Sequence, residues 1–245
     1  YDSTGRLTFS ENYAKGNGHY KQKYKNGTTL FECNMKNGLF CGQYLKHNVT
    51  GKVIEKGFNI NGDRDSSYIN YFYSGKEHLV GQYKNGRKQG LWKSYNTLGA
   101  LETEEHYKED NDEGKYFYYV GGQPRYEYNY HNNQRDGEQY IYGEDKKIAC
   151  VLLYKDGELV GYTGEGKDGK LLPITPIKNG TAKIVTYYPN GNKSAEFNYV
   201  ENIRVGRQVS YFSNGQVADD NTYGNHMLQG TSETYYPNGK LYQRT

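Results

Sequence analysis

A glycine returns at a nearly constant interval along the whole chain. The turn position falls at Gly5, Gly27, Gly51, Gly75, Gly99, Gly122, Lys146, Gly169, Gly191, Gly215 and Gly239. A second row follows at a constant offset at Gly42, Gly90, Gly114, Gly137, Gly161, Gly206 and Gly230, with Ser66 standing in once. A fixed period of roughly 24 residues marks a repeat array whose units stack on their neighbours. Glycine at this density breaks any amphipathic helix, so each half-unit reads as a strand.

Aromatic residues keep the same period. Tyr71, Tyr95, Tyr118, Tyr187, Tyr211 and Tyr235 lie four positions before the turn glycine, with Tyr142 before Lys146. Tyr83, Tyr107, Tyr130, Tyr154, Tyr199 and Tyr223 lie eight after it, and Tyr20, Tyr44, Tyr68 and Trp92 mark a third row. Asn-Gly pairs such as Asn26-Gly27, Asn37-Gly38, Asn61-Gly62, Asn85-Gly86 and Asn190-Gly191 predict type I′ hairpin turns, which need positive φ at both central residues. The expected fold is all-β: an elongated solenoid, or single twisted antiparallel sheet, of about ten β-hairpin repeats of about 24 residues. Residues 1–162 are expected to form the first run of hairpins and 181–245 the second. Between them 163–180 is a degenerate repeat or kink, with Pro173, Pro176, Glu165 and Ile177 off pattern.

Composition explains what holds such a sheet. Leu, Ile, Val and Phe make up only 43 of 245 residues, a level that alone suggests disorder. The 29 tyrosines and a formal net charge of +3 argue the opposite. Rings supply the buried area while their hydroxyls stay wet. A ring four before the turn and one three before it point to opposite faces of a strand. A thin sheet covers one such row and leaves the other exposed. Tyr71, Tyr95, Tyr118, Tyr142, Tyr187, Tyr211, Tyr235 and Trp92 are therefore the candidate binding residues, tyrosine and tryptophan being favoured at interfaces.

Three cysteines are too few for a disulfide scaffold. Cys33 and Cys41 flank Asn37-Gly38 almost symmetrically. They are read either as a cross-hairpin disulfide or as two small apolar residues on one face. Together with a first residue that is Tyr1 and not Met, this pair inclines the expected location towards the extracytoplasmic side. Charges are interspersed without a basic run, which speaks against nucleic acid.

The segments Tyr187-Tyr188-Pro189-Asn190-Gly191, Tyr211-Phe212-Ser213-Asn214-Gly215 and Tyr235-Tyr236-Pro237-Asn238-Gly239 resemble the bacterial MORN-repeat variant. Gly90-Leu91-Trp92-Lys93-Ser94-Tyr95 is similar to that family's opening, and Tyr83-Lys84-Asn85-Gly86 to its second half. The resemblance covers nearly the whole chain and is weak at 163–180. It implies a β-hairpin solenoid that binds proteins or membranes, and many bacterial members carry an antitoxin label. It supplies no catalytic residue.

The chemistry of catalysis has no foothold in the pattern. His19, His47, His78, His106, His131 and His226 are scattered, without metal-ligand spacing. No nucleophile elbow or phosphate loop occurs, and adjacent carboxylates such as Glu104 and Glu105 point to opposite faces of a strand. The expectation is a non-enzymatic scaffold without cofactor or metal. Its tyrosine-rich face would bind a macromolecular partner, foremost a protein, in an antitoxin-like or envelope setting. The alternatives are a cell-wall glycan, a lipid surface approached through Lys21, Lys23 and Lys25, and self-association through free sheet edges.

Overall fold

In the computed structural model, residues 15–224 and 227–245 are described. Gly5 and His226 lie outside them. Among the described residues the regular structure is strand, apart from one 3-10 turn at Glu144–Lys146. The chain divides into two compact units, Tyr1–Gly99 with Tyr107–Asp110, and Ala100–His106 with Asn111–Thr245.

The first unit contains β1 (Gly18–Lys23), β2 (Thr29–Lys36), β3 (Leu39–His47), β4 (Val53–Ile60), β5 (Asp63–Tyr71), β6 (Glu77–Lys84) and β7 (Arg87–Tyr95). Each pairs antiparallel with the next. The hairpin reading of the repeat therefore holds, but its two turns differ in kind. Asn37-Gly38, Asn61-Gly62 and Asn85-Gly86 have positive φ at both residues, as type I′ demands. At Asn26-Gly27, Asn190-Gly191, Asn214-Gly215 and Asn238-Gly239 only the glycine is left-handed. There the amide of Gly27 donates to the Tyr24 carbonyl at 2.9 Å, and the Asn26 side chain accepts from the Thr28 amide. This is the three-residue loop of a type I turn closed by a left-handed glycine. The type I′ turns also continue at Glu109-Asp110, Asn132-Asn133 and Glu201-Asn202, without glycine, which is why the sequence hid them.

The second glycine row marks β-bulges. Cys33 pairs with Tyr44 and Asn34 with Cys41, so Gly42 and Gln43 are extra residues on β3. This shift breaks the symmetry on which a Cys33–Cys41 disulfide depended. Cys33, Cys41 and Cys150 are free, and the Cys33 thiol points at the Cys41 carbonyl at 3.6 Å. At the next bulge Ser66 takes φ 61°, the conformation that glycine takes at Gly42 and Gly90. Ser66→Gly is expected to stabilise by about 0.5 kcal/mol, the left-handed strain of an L-residue being partly offset by a freer unfolded chain. Urea denaturation measures it, and a loss of stability would show that the bulge carries no such strain.

One face of the first unit is built by size alternation. The paired row runs Tyr20, Cys33, Tyr44, Gly57, Tyr68, Gly81. Each ring thus has a small neighbour over which to lie flat. A Cβ on Gly57 would come 2.6 Å from the Tyr44 ring, and one on Gly81 2.2 Å from Trp92. Edge-to-face contacts continue the line, with Tyr68–Tyr83 at 5.3 Å and Tyr83–Trp92 at 5.0 Å. Tyr44, Tyr68 and Trp92 are buried as a result, without a second layer of backbone.

In the second unit β8 (Leu101–Lys108) is shared with the first at its C-terminal end. There follow β9 (Asn111–Val120), β10 (Gln123–His131), β11 (Gln134–Arg135), β12 (Gly137–Tyr142), β13 (Ile148–Lys155), β14 (Glu158–Thr163) and β15 (Thr175–Pro176). Strand pairing stops within 163–180, where β15 is a two-residue strand and Pro173 and Pro176 lack donors for a ladder. A second sheet then forms from β16 (Ala182–Tyr187), β17 (Lys193–Val200), β18 (Ile203–Arg204), β19 (Gly206–Tyr211), β20 (Val217–Gly224), β21 (Met227–Leu228), β22 (Glu233–Tyr235) and β23 (Leu241–Arg244). Repeats on either side of the break thus face each other.

Their shared core holds Ile141, Cys150, Leu152, Tyr154 and Leu159 from the first sheet, with Ile184, Tyr188, Ala195, Phe197 and Tyr199 from the second. Aliphatic residues concentrate here because two sheets, unlike one, enclose a dry layer. Polar groups also cross it. The hydroxyls of Thr186 and Ser194 donate to the Ala149 carbonyl at 2.8 and 2.5 Å. Arg125 of β10 and Asp219 of β20 form an ion pair at 3.4 Å with both side chains only 4% exposed.

Candidate functional site

The candidate rings do not share one environment. Trp92 is buried against Gly81, with its indole N–H donating to the Gln82 carbonyl at 3.2 Å, so it is a packing residue. Tyr71, Tyr95, Tyr142, Tyr211 and Tyr235 are half-buried, and Tyr187 is 51% exposed. In the second sheet the adjacent Tyr188 and Phe212 are buried, so alternation places Tyr187 and Tyr211 on the outward face.

Tyr118 departs from that row. The hairpin at Gly121-Gly122 has a two-residue turn, with Val120 paired to Gln123, and a register shift follows at Pro124/Tyr126. The shorter turn moves the row by one residue. Tyr119 takes the outward place, and Tyr118 instead bonds Gln243 in the second sheet at 3.3 Å. A carboxylate on the neighbouring strand holds several of the outward rings. Tyr119, Tyr142 and Tyr211 donate to Glu104, Glu127 and Glu196 at 2.6, 2.8 and 2.7 Å, and Lys56 lies 5.7 Å from the Tyr71 ring. Burial and the Glu196 acceptor push the Tyr211 hydroxyl up to about 12, so it remains a proton donor at neutral pH. These rings are pre-ordered, which lowers the entropy cost of using them in an interface.

A row of cations accompanies the rings, and reading the sequence for aromatic periodicity does not single it out. Arg64, Lys88, Arg135 and Arg204 each follow a turn glycine (Gly51, Gly75, Gly122 and Gly191) at the same offset. Arg64 stacks 5.4 Å from both Tyr68 and Tyr83, and Lys88 sits 4.7 Å from Trp92 and 4.4 Å from Tyr107. Arg135 lies over Tyr128 and Tyr154, and Arg204 over Tyr223. The next repeat fixes the position. The amides of Gly86, Asp110 and Gly157 donate to the carbonyls of Arg64, Lys88 and Arg135. The only signal in the sequence is that fixed offset, and isolated cations a whole repeat or more apart look like ordinary surface charge. Each such contact contributes roughly 0.5–1 kcal/mol when exposed.

The degenerate segment opens a partly apolar groove in the second unit. It measures about 440 Å³ and is lined by Tyr162, Leu172, Pro173, Val185, Tyr187 and Pro189 among others. Leu172 and Ile174 are more than half exposed beside it. Pairing is reduced here to a single bridge of Leu171 with Glu165 and the two residues of β15 on β14, which leaves Leu172 and Ile174 exposed. By contrast, the basic trio of the first unit is dispersed. Lys21 pairs with Glu32 at 3.1 Å, and Lys25 lies in the turn after β1. Among the described residues, no three His, Cys, Asp or Glu side chains converge in a way that would hold a metal ion.

The open antiparallel hairpin repeat defines the class of protein. Within it, residues 88–109 and 228–245 match the MORN repeat variant family model. These two segments hold Trp92, Tyr95 and Tyr107 of the aromatic rows, Lys88 of the cation row, and the hairpin of β22 and β23. None of the curated proteins matches the chain. Among solved structures, a chain of the crystal structure of TcdB2–TccC3–Cdc42 is similar at 12% identity with a TM-score of 0.21. That match covers 86% of this chain and 15% of the other, so this chain spans a small part of that protein's length.

Proposed function

We propose that the chain is a non-enzymatic repeat scaffold that binds a protein partner through the outward tyrosine face of its second sheet. The observation that carries this reading is the juxtaposition of Tyr187, the most exposed ring of its row, with the apolar groove and with exposed Leu172. Exposed apolar surface rimmed by polar residues favours association, and a tyrosine offers both a flat apolar face and a hydroxyl. What the sequence repeats from unit to unit is a ring beside hydrogen-bonding groups, the chemistry of an interface anchor. An antitoxin-like function is one form that such binding takes.

The test is capture of a native partner on the immobilised chain, with paired variants. Tyr187→Ser and Leu172→Ser are expected to lower retention of one protein by roughly tenfold or more, as loss of an interface anchor does. Tyr71→Ser and Tyr95→Ser, in the first unit, are expected to leave it unchanged. Equal loss with both pairs, or no retained protein, would remove this face from the argument.

A further inference from the structure

A second cleft opens between the two sheets of the second unit, and it shares no lining residue with the Tyr187 groove. It measures about 250 Å³. Tyr118, Tyr126 and Tyr128 of the first sheet line one side, and Arg204, Asn221 and Gln243 of the second line the other. Arg204 sets its character. The guanidinium lies 5.6 Å from the Tyr223 ring, its Nε donates to the Tyr199 hydroxyl at 3.1 Å, and its Nη1 donates to the Tyr223 hydroxyl at 3.3 Å. These neutral partners hold the group in place and leave its charge uncompensated. Its Nη2 meets no acceptor among the described residues. An enclosed cation normally has a carboxylate beside it.

The carboxylates of β20 and β22, the strands beside Arg204, are committed elsewhere. Asp219 pairs with Arg125 and accepts from Ser210 and Thr234. Asp220 takes a two-pronged contact from Arg207, and Glu233 pairs with Arg244. Arg135 of the first sheet repeats the pattern of Arg204. It donates to Gln139 and to the Tyr154 hydroxyl, with no carboxylate, and the Tyr154 hydroxyl meets that of Tyr199 at 3.5 Å. Two uncompensated guanidinium groups thus flank one pair of tyrosine hydroxyls, and the Arg204 charge opposes that of Arg135.

The neutral groups around Arg204 add donors. The amide oxygens of Asn221 and Gln243 are taken by the Ser232 and Tyr118 hydroxyls, which leaves their amide N–H groups without a protein acceptor among the described residues. Burial raises the Tyr126 and Tyr128 hydroxyls above their ordinary value, so both stay protonated at neutral pH. One positive charge among several donors, with the neighbouring carboxylates engaged, suits a ligand with a single negative charge. The volume lies just below the range of about 300–1,000 Å³ typical of pockets for drug-sized ligands, so the ligand is small. We infer that this cleft binds the carboxylate of a small organic monoacid, held by Arg204 and by the amide groups of Asn221 and Gln243. The site is separate from the protein-binding face, and either stands without the other.

The experiment is saturation-transfer NMR on the whole chain at fixed ionic strength, with acetate, propionate and N-acetylglycylglycine as probes. At least one is expected to bind saturably with a Kd on the order of millimolar, as one charge-assisted contact with a few neutral donors gives. Acetamide, of the same shape without the charge, is expected to bind at least tenfold more weakly than acetate. Preference for acetate or propionate assigns the carboxylate to a free acid, and preference for N-acetylglycylglycine to the end of a peptide; either outcome supports the site. Arg204→Gln is expected to weaken binding at least tenfold. Asn221→Asp keeps the acceptor for Ser232 and adds a carboxylate to the cleft, so it is expected to abolish binding and serves as the test if Arg204→Gln does not fold. Arg207→Gln and Tyr187→Ser should leave the affinity unchanged. The proposal is overturned if none of the three acids saturates, if acetamide binds as tightly as acetate, or if affinity survives Arg204→Gln or Asn221→Asp. Inorganic phosphate that displaces acetate at a lower concentration than propionate does would overturn it as well.

Discussion

Gly81→Ala is expected to destabilise the first unit by about 3 kcal/mol, at the upper end of the range for overpacking a well-filled site. A methyl group at this position would come within 2.2–2.7 Å of three atoms of the Trp92 ring. The ring cannot retreat, because Tyr83 meets it edge-on at 5.0 Å and Lys88 covers it at 4.7 Å. The backbone cannot yield readily either, since Tyr68 and Gly81 are opposite one another in the β5–β6 ladder. Trp92 is the sole tryptophan, so its fluorescence during urea unfolding reports this unit directly. Gly57→Ala, against the Tyr44 ring, is expected to behave in the same way with a smaller loss. The cause is testable by a cycle with Trp92→Leu. If the ring is the obstacle, the two changes are strongly non-additive, and the double variant loses less than the sum. A Gly81→Ala protein within about 0.5 kcal/mol of the parent, the scatter of an ordinary surface substitution, would mean that the ring does not lie on this backbone.

The repeat made the fold legible, and the irregularities within it were less so. A glycine once per repeat with alternating rings announced antiparallel hairpins, and β1 to β7 follow that register. Turn chemistry was only half visible. Asn26-Gly27 and Asn37-Gly38 are the same dipeptide, yet one closes a three-residue loop and the other a two-residue turn. What separates them is the strand register on either side, which lies outside the dipeptide. The bulge at Gly42 had the same effect on Cys33 and Cys41, whose symmetrical spacing around a turn assumed an uninterrupted ladder. Likewise the single missing residue at Gly121-Gly122 moved Tyr118 from the outward row into the cleft. One-residue slips invert faces, so a site inferred from spacing is most fragile wherever the repeat shortens by one position.

The candidate site was legible as a type of surface and not as a place. Sequence pointed to exposed tyrosine, and Tyr187 is exposed, but the apolar groove beside it comes from 163–180, which reads as a decayed repeat. Loss of repeat identity reduces strand pairing to one bridge and a two-residue strand, and it has two consequences. It leaves Leu172 and Ile174 uncovered, and it frees the following hairpins to pack on the preceding ones. The aliphatic residues that are scarce along the chain prove to be gathered at that contact, around Ile141, Leu152 and Ile184. The cation row escapes sequence reading for a different reason. Its members join a ring close in sequence, as Arg64 does Tyr68 and Lys88 does Trp92, to a ring about 19 residues further on, so half of each contact depends on stacking between units and shows in the sequence only as a fixed offset.

Breaking the ion pair between Arg125 and Asp219 is expected to cost the second unit about 3–5 kcal/mol, because it strands a desolvated charge between two sheets. Arg125 is committed from three sides. Its Nη1 donates to the Tyr142 carbonyl at 2.7 Å, its guanidinium stacks 4.6 Å from Phe212, and its Nε faces Asp219 Oδ2 at 3.4 Å. That Nε makes no aligned hydrogen bond, so the contact with Asp219 is electrostatic. Removing the carboxylate in Asp219→Ala leaves the guanidinium without its counter-charge and leaves Ser210 and Thr234 without their acceptor. Replacing both partners by apolar residues, as in Arg125→Met with Asp219→Leu, should recover most of the loss, since the pair repays little more than its own desolvation. What the double variant is expected to lose is definition. The pair joins β10 to β20, fixing which part of the second sheet lies on which part of the first. Without it, hydrogen exchange in β16 to β23 should quicken while global stability stays near that of the parent. Denaturation followed by far-ultraviolet circular dichroism measures the first effect, and amide exchange the second. An Asp219→Ala protein within about 1 kcal/mol of the parent would show that the charges are solvated and that apolar packing alone joins the sheets, and a double variant no more stable than the single one would show that apolar residues cannot replace the pair.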